Sequence, residues 1–168
     1  MSRFPGSEQN MAPIAPVVLT DEEQQECQAM LHELIQVGGG YYAIREELLD
    51  PFKRSIVALC MMGRAERFLM LAGCGLLGSR LSPEDPADPE YAEKACQAAA
   101  KACGVFPLSM YFYDYGCILQ QVGKTAEAKQ MFAEFLRRVG SETLDPIMEL
   151  VLKQRDVEAA LRHARQSD

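Results

Sequence analysis

Long apolar runs are missing from this chain. No stretch of its 168 residues approaches the ~20 apolar residues a helix needs to cross a bilayer, so membrane insertion is not expected. The N-terminal MSRFPGSEQNMAPIAPVV has neither the basic start nor the apolar core of a secretory signal. Its prolines and small residues predict a disordered lead over residues 1–19, and a cytoplasmic protein. An excess of cations is missing too. The net charge is −7, with the acid surplus upstream of Lys124, which disfavours nucleic acid because phosphate contact needs a cationic face. Lys53, Arg54, Arg64 and Arg67 form a local basic cluster that reads as a solvated helix surface. Histidine is scarce: His32 and His163 stand far apart with no cysteine nearby. Cys27, Cys60, Cys74, Cys96, Cys103 and Cys117 include no CxxC pair. They read as buried reduced thiols, and no metal is expected. Runs of alternating apolar and polar β-branched residues are absent as well, which leaves an all-α fold.

What is present is helix punctuation. Thr20, followed by Asp21, Glu22 and Glu23, predicts an N-cap and a helix to about Val37, with Cys27, Met30, Leu31, Leu34 and Ile35 as its apolar stripe. Gly38-Gly39-Gly40 stops it, and a short helix is expected over 41–49. Asp50-Pro51 then reads as an N-cap with proline at the first helical position. Helices are expected over about 51–62 and 65–80, with a break at Gly63. SPEDPADPE at 82–90 is a solvated acidic loop. Asp88-Pro89 opens an alanine-rich helix to about Cys103, which Gly104 ends. Pro107 begins the next helix, Asp145-Pro146 a later one, and a helix over 155–165 closes the chain.

Residues 109–142, SMYFYDYGCILQQVGKTAEAKQMFAEFLRRVGSE, form two amphipathic helices joined at Gly123-Lys124. Tyr115, Gly116 and Leu119 lie in the first, where Gly116 lets a neighbouring helix approach closely; Ala128 and Phe132 lie in the second. This stretch resembles a tetratricopeptide repeat, a helix hairpin that stacks on its neighbours to bury its apolar face. Upstream, Leu69, Ala72, Gly73 and Leu76 repeat the spacing of Phe112, Tyr115, Gly116 and Leu119. Ala95, Ala99 and Ala102 repeat that of Ala128, Phe132 and Phe135. The resemblance covers about residues 66–142 and departs at Phe135, where the family usually has a small residue. It implies one domain over 20–168, built of stacked antiparallel helix hairpins with flanking terminal helices.

Enzyme readings fare poorly. Gly73-Cys74-Gly75-Leu76-Leu77-Gly78 matches GxGxxG, but dinucleotide binding needs a strand before it and a long helix after it. Only Ser79 to Ser82 separate the motif from Pro83, so glycines at a close helix contact explain the match better. No nucleophile-elbow sequence occurs, and no cofactor is expected.

MYFYDY at 110–115 holds too many consecutive aromatics for all to face inward, since successive helix residues turn by about 100°. In tetratricopeptide proteins the first helix of each repeat lines a concave groove. Carried over, the resemblance implies that Met110, Tyr113, Cys117, Gln120 and Gln121 line it from one repeat, and Arg67, Met70, Cys74 and Leu77 from the other. Tyr113 is then the partner anchor and Tyr115 a packing residue, with contact to the terminal helices as the alternative use of the aromatics. LIQVGGGYYA at 34–43 and GCILQQVGKTAEAKQMF at 116–132 are also similar to the translocator chaperones of bacterial type III secretion. That likeness implies a client segment held extended in the groove. The reading is thus a non-catalytic protein-binding scaffold or chaperone for a protein or peptide partner, with a homodimer compatible. Its alternatives are a structural subunit of a larger helical assembly and, further off, a dinucleotide enzyme.

Overall fold

The computed structural model describes residues 17–35, 51–74, 87–142, 144, 149–150, 152–153, 155 and 157–165. Among them run six helices: α1 (Asp21–Ile35), α2 (Pro51–Leu71), α3 (Pro89–Val105), α4 (Ser109–Gln121), α5 (Thr125–Val139) and α6 (Val157–Arg165). No β-strand occurs among the described residues, and the all-α expectation holds. Helix α2 packs on α3, α3 on α4, α4 on α5 and α5 on α6, while α1 lies on α2 and α2 also touches α4. The Gly38-Gly39-Gly40 break, the 41–49 helix, Asp50, most of the 82–90 loop and Asp145-Pro146 lie outside the described residues, as do the side chains at 31–35.

Helix α1 begins with a reciprocal cap. The Glu23 N–H donates to Thr20 Oγ1 at 3.2 Å, and the Thr20 N–H donates to Glu23 Oε1 at 2.9 Å, so two end groups that the helix cannot satisfy are paired at once. Glu23 is buried and also accepts from Lys101 of α3 at 2.6 Å. Arg64 of α2 pairs with Glu22 at 3.3 Å and Glu26 at 2.7 Å, and Arg67 pairs with Glu26. The basic cluster is therefore not merely solvated. Its Arg64, with 13% of its side chain exposed, holds α1 in place.

Two glycine expectations are corrected. Gly63 does not break a helix; α2 runs through it to Leu71. A helical glycine costs only about 1 kcal/mol relative to alanine. Val57, Met61, Ala65 and Leu69 are buried on either side of it, and burying one large apolar side chain contributes roughly 1.5–3 kcal/mol. Burial wins. Gly104 does not end α3, which continues to Val105. Its role is proximity: a Cβ there would stand 2.8 Å from Val17 Cγ2, where the extended 17–20 segment crosses the last turn of α3.

The true end of α2 is Gly73, at φ 88°. The Cys74 N–H donates to the Leu69 carbonyl at 3.1 Å and the Gly73 N–H to the Met70 carbonyl at 3.0 Å. Helix α4 ends identically at Gly123, φ 87°, with Lys124 N–H to Leu119 O at 2.8 Å and Gly123 N–H to Gln120 O at 3.2 Å. Both are left-handed glycine caps that pair two carbonyls the helix leaves open. Gly73 thus corresponds to Gly123 and not to Gly116, which corrects the spacing match drawn for the upstream repeat. RFLML at 67–71 is helix, so the strand that dinucleotide binding requires is absent there. Gly75 to Gly78 lie outside the described residues.

Asp88 caps α3 as expected, its Oδ1 accepting from the Glu90 and Tyr91 N–H groups at 3.0 and 3.3 Å. Helix α4 has Leu108 at its cap position, with no side-chain cap bond of its own. Glu142, beyond the end of α5, supplies the acceptor instead. Its carboxylate takes the Ser109 N–H and, at 2.6 Å, the Ser109 hydroxyl. Gly116 lies against Phe132 of α5, whose ring a Cβ would meet at 3.0 Å. That close approach is the one the sequence predicts.

Candidate protein-binding face

Leu59, Gly63, Glu66 and Met70 recur at helical spacing, which sets them along one side of α2. Leu59 and Met70 are each 50% exposed, and Leu71 in the last turn is 59% exposed. The remaining apolar residues of α2 from Ile56 to Leu69 that reach the core, Met61, Met62 and Ala65 among them, are buried. An apolar stripe on a helix whose other sides are covered by α1, α3 and α4 is a surface of the kind that partners cover.

The stripe adjoins a charged constellation. Arg155 holds Asp114 of α4 with two parallel bonds, Nε to Oδ1 at 3.1 Å and Nη2 to Oδ2 at 2.7 Å, a geometry that only a guanidinium offers. Burial pushes the Asp114 carboxyl up, against the pull of Arg155. Glu66 stands close enough to both to feel them: burial and then Asp114 raise its carboxyl, while Arg155 opposes them. The result is a line of exposed apolar side chains interrupted by Glu66, with the Asp114–Arg155 pair beside it.

The nine residues expected to line one groove do not share one open face. Met70 is open. Arg67 is exposed but turned to Glu26 of α1. Cys74 is fully buried, its thiol donating to the Gln121 carbonyl at 3.7 Å, which ties the ends of α2 and α4 together. Met110 is buried in the core. Leu77 lies outside the described residues. Cys117 and Gln121 are half-buried, and burial raises the Cys117 thiol to about 11.

Tyr113 is the main correction. It meets Phe132 and Phe135 of α5 edge-on, with ring centroids at 5.6 and 5.1 Å, so it packs the α4–α5 hairpin. Tyr115 is half-buried as well, its phenol raised to about 12 by burial. The separation into an inner Tyr115 and an outer Tyr113 therefore fails. Gln120 is also engaged: its Nε2 lies 2.8 Å from His163 Nδ1 of α6. The His163 ring stacks on Phe132 at 5.0 Å. The C-terminal helix, packed on α5, thus also meets α4 at Gln120, one of the residues expected to be open. The sequence offers His163 only as one of two isolated histidines, and no local pattern marks it as the partner of Gln120, 43 positions away.

Among the described residues no group of three or more His, Cys, Asp or Glu could hold a metal ion. No helix among them is long and apolar enough to cross a membrane. No family model matches the chain, and neither a curated protein nor a solved structure does.

Proposed function

We propose that this protein is a non-catalytic binding module, a chaperone or adaptor of tetratricopeptide type, that takes a segment of a protein partner on the exposed side of α2. The observation that carries the reading is the apolar stripe of Leu59 and Met70, with Leu71 beside it, left open on a helix packed on its other sides. Alternating helix pairs with matching glycine caps support the repeat assignment. The six cysteines are free, which fits a cytoplasmic setting. Apolar side chains give such a face its adhesion, and the Glu66–Asp114–Arg155 margin gives it polar selectivity.

The test is a bait comparison in native cell extract. Leu59→Asp with Met70→Asp, shown first to melt like the wild type, should lose the co-purifying partner. Gln130→Glu on α5 should keep it. Retention of the same partner by the double variant sinks the reading. A structural subunit is the second reading, because a permanent neighbour would cover the same stripe. It is distinguished by a purified mass above that of a single chain at all concentrations.

A further inference from the structure

We infer that the segment taken on the open side of α2 is an amphipathic helix, which lays a large apolar residue over Gly63 and sets a lysine or arginine against Glu66. The inference rests on the binding reading above and adds the shape and charge of the segment. Leu59, Gly63, Glu66 and Met70 follow one another at steps of four, three and four, the spacing that keeps side chains on one side of a helix. From Leu59 to Met70 the line covers about 16 Å, or roughly three turns. Leu59 and Met70 stand exposed at its two ends. Between them is a dent: a Cβ at Gly63 would meet only the Arg67 guanidinium, at 3.7 Å.

A helix fits such a line because it brings its own hydrogen bonds. Every position from Leu59 to Met70 lies inside α2, whose amides and carbonyls pair with one another. The line therefore offers an arriving backbone nothing to bond. An extended segment pressed on it would leave its own N–H and C=O groups dry and unpaired, whereas a helix satisfies them internally. The charge is set by Glu66. Its side chain is exposed and makes no hydrogen bond or ion pair among the described residues. Arg67 and Arg155 stand near it, but each already holds a carboxylate, Arg67 that of Glu26 and Arg155 that of Asp114. One negative charge is left over on the line, and a cation from the partner answers it. A second copy of this chain is the poorer occupant, because pairing the line with itself brings two Glu66 carboxylates into one contact.

The experiment titrates the full-length chain, labelled for amide NMR, with synthetic alanine- and glutamine-based peptides of about 18 residues, long enough to be helical in isolation. Each carries a leucine stripe. One has a lysine at the centre of that stripe, a second a glutamate there, and a third the lysine together with prolines that break the helix. The lysine peptide should shift the amides of Leu59, Gly63, Glu66 and Met70. It should bind about fivefold more tightly than the glutamate peptide at low salt, a gap that added salt narrows. Glu66→Lys, once shown to melt like the wild type, should reverse the order of the two, and the proline peptide should not saturate. Equal binding of the lysine and glutamate peptides at these amides, or of the lysine and proline peptides, would overturn the inference while leaving the open side of α2 a binding face. Shifts elsewhere, or none with any peptide, would overturn the binding reading with it. A mass that doubles with concentration, and that Leu59→Asp returns to a single chain, would overturn the inference in favour of a second copy. The wild-type titrations decide the matter even if Glu66→Lys fails to fold.

Discussion

The α2–α3 and α4–α5 pairs reach close packing from opposite directions. In α2–α3 the bulk sits on the first helix, with Ile56, Val57, Met61, Met62 and Leu69 buried. The second helix buries Ala92, Ala95, Ala98, Ala99 and Ala102. Both helices of α4–α5 bury large side chains, but where they come closest the small residue is on the first helix, at Gly116, and the bulk is on the second, at Phe132. Both first helices nevertheless stop at the same glycine cap. Complementary volume is what each pair needs, and which helix supplies the bulk is free to change. The turn after the cap is less interchangeable. Only Val122 to Lys124 join α4 to α5, whereas residues 72–88 separate α2 from α3.

The largest break in this comparison should come from removing bulk where it is concentrated. Phe132→Ala opposite Gly116 should cost about 3–5 kcal/mol of unfolding free energy, read by urea denaturation. An alanine-rich partner such as α3 offers no single side chain whose loss compares. Adding bulk is the converse test. Gly116→Leu and Ala99→Leu should each overpack their contact and cost about 1–3 kcal/mol. Phe132→Leu combined with Gly116→Ala should recover part of the loss, a coupling that a double-mutant cycle isolates. Equal, additive effects would mean that Gly116 and Phe132 do not share a contact.

The caps should behave alike. Nothing lies within 4 Å of a Cβ at Gly73 or Gly123, so alanine there meets only backbone strain. Each substitution should cost roughly 1–2 kcal/mol, and the two melting shifts should agree.

The smallest effect separates the two halves by pH. Burial pushes the Glu23 carboxyl up, but the Lys101 ammonium and the Thr20 donors outweigh it and hold it below 4.5. Its stabilisation is present above that ordinary value and is lost as pH falls through the lower folded value. Glu142 is the reverse. Burial raises it above 4.5 against the Ser109 donors, so its protonation favours the fold, and that contribution is lost as pH rises through the folded value. Below pH 4.5 the stability of Glu23→Gln should therefore fall less with acid than that of the wild type, whereas the loss of stability that Glu142 brings as pH rises above 4.5 should be absent in Glu142→Gln.

Local signals carried most of the fold in the sequence. Thr20 and Asp88-Pro89 each cap a helix through atoms within three residues, and the Gly123 turn is equally local. Gly116 was legible because its partner sits on the next helix. Gly73 was not, because a glycine that ends a helix and a glycine that admits a neighbour are spelled the same way. Gly63 was misjudged for a related reason: local propensity is outweighed by burial that spacing alone does not rank. The candidate face was legible only at Met70. Whether Tyr113, Gln120 or Cys74 lies open depends on α5, on α6 and on the junction of α2 with α4 respectively. Those contacts, such as Gln120 with His163, join residues remote in sequence.

Ser109 and Glu142 have a consequence for the order in which the chain can assemble. The first amide of α4 is buried and has no acceptor in its own neighbourhood, and the one it uses lies 33 positions later. As the polypeptide leaves the ribosome, the Ser109 amide has only water to accept its hydrogen bond until α5 has been made and Glu142 has folded back. Residues 109–142 therefore form a ring, closed at one end by the Gly123 turn and at the other by the serine–glutamate clasp. During synthesis its two helices should gain protection from hydrogen exchange together, as a single unit.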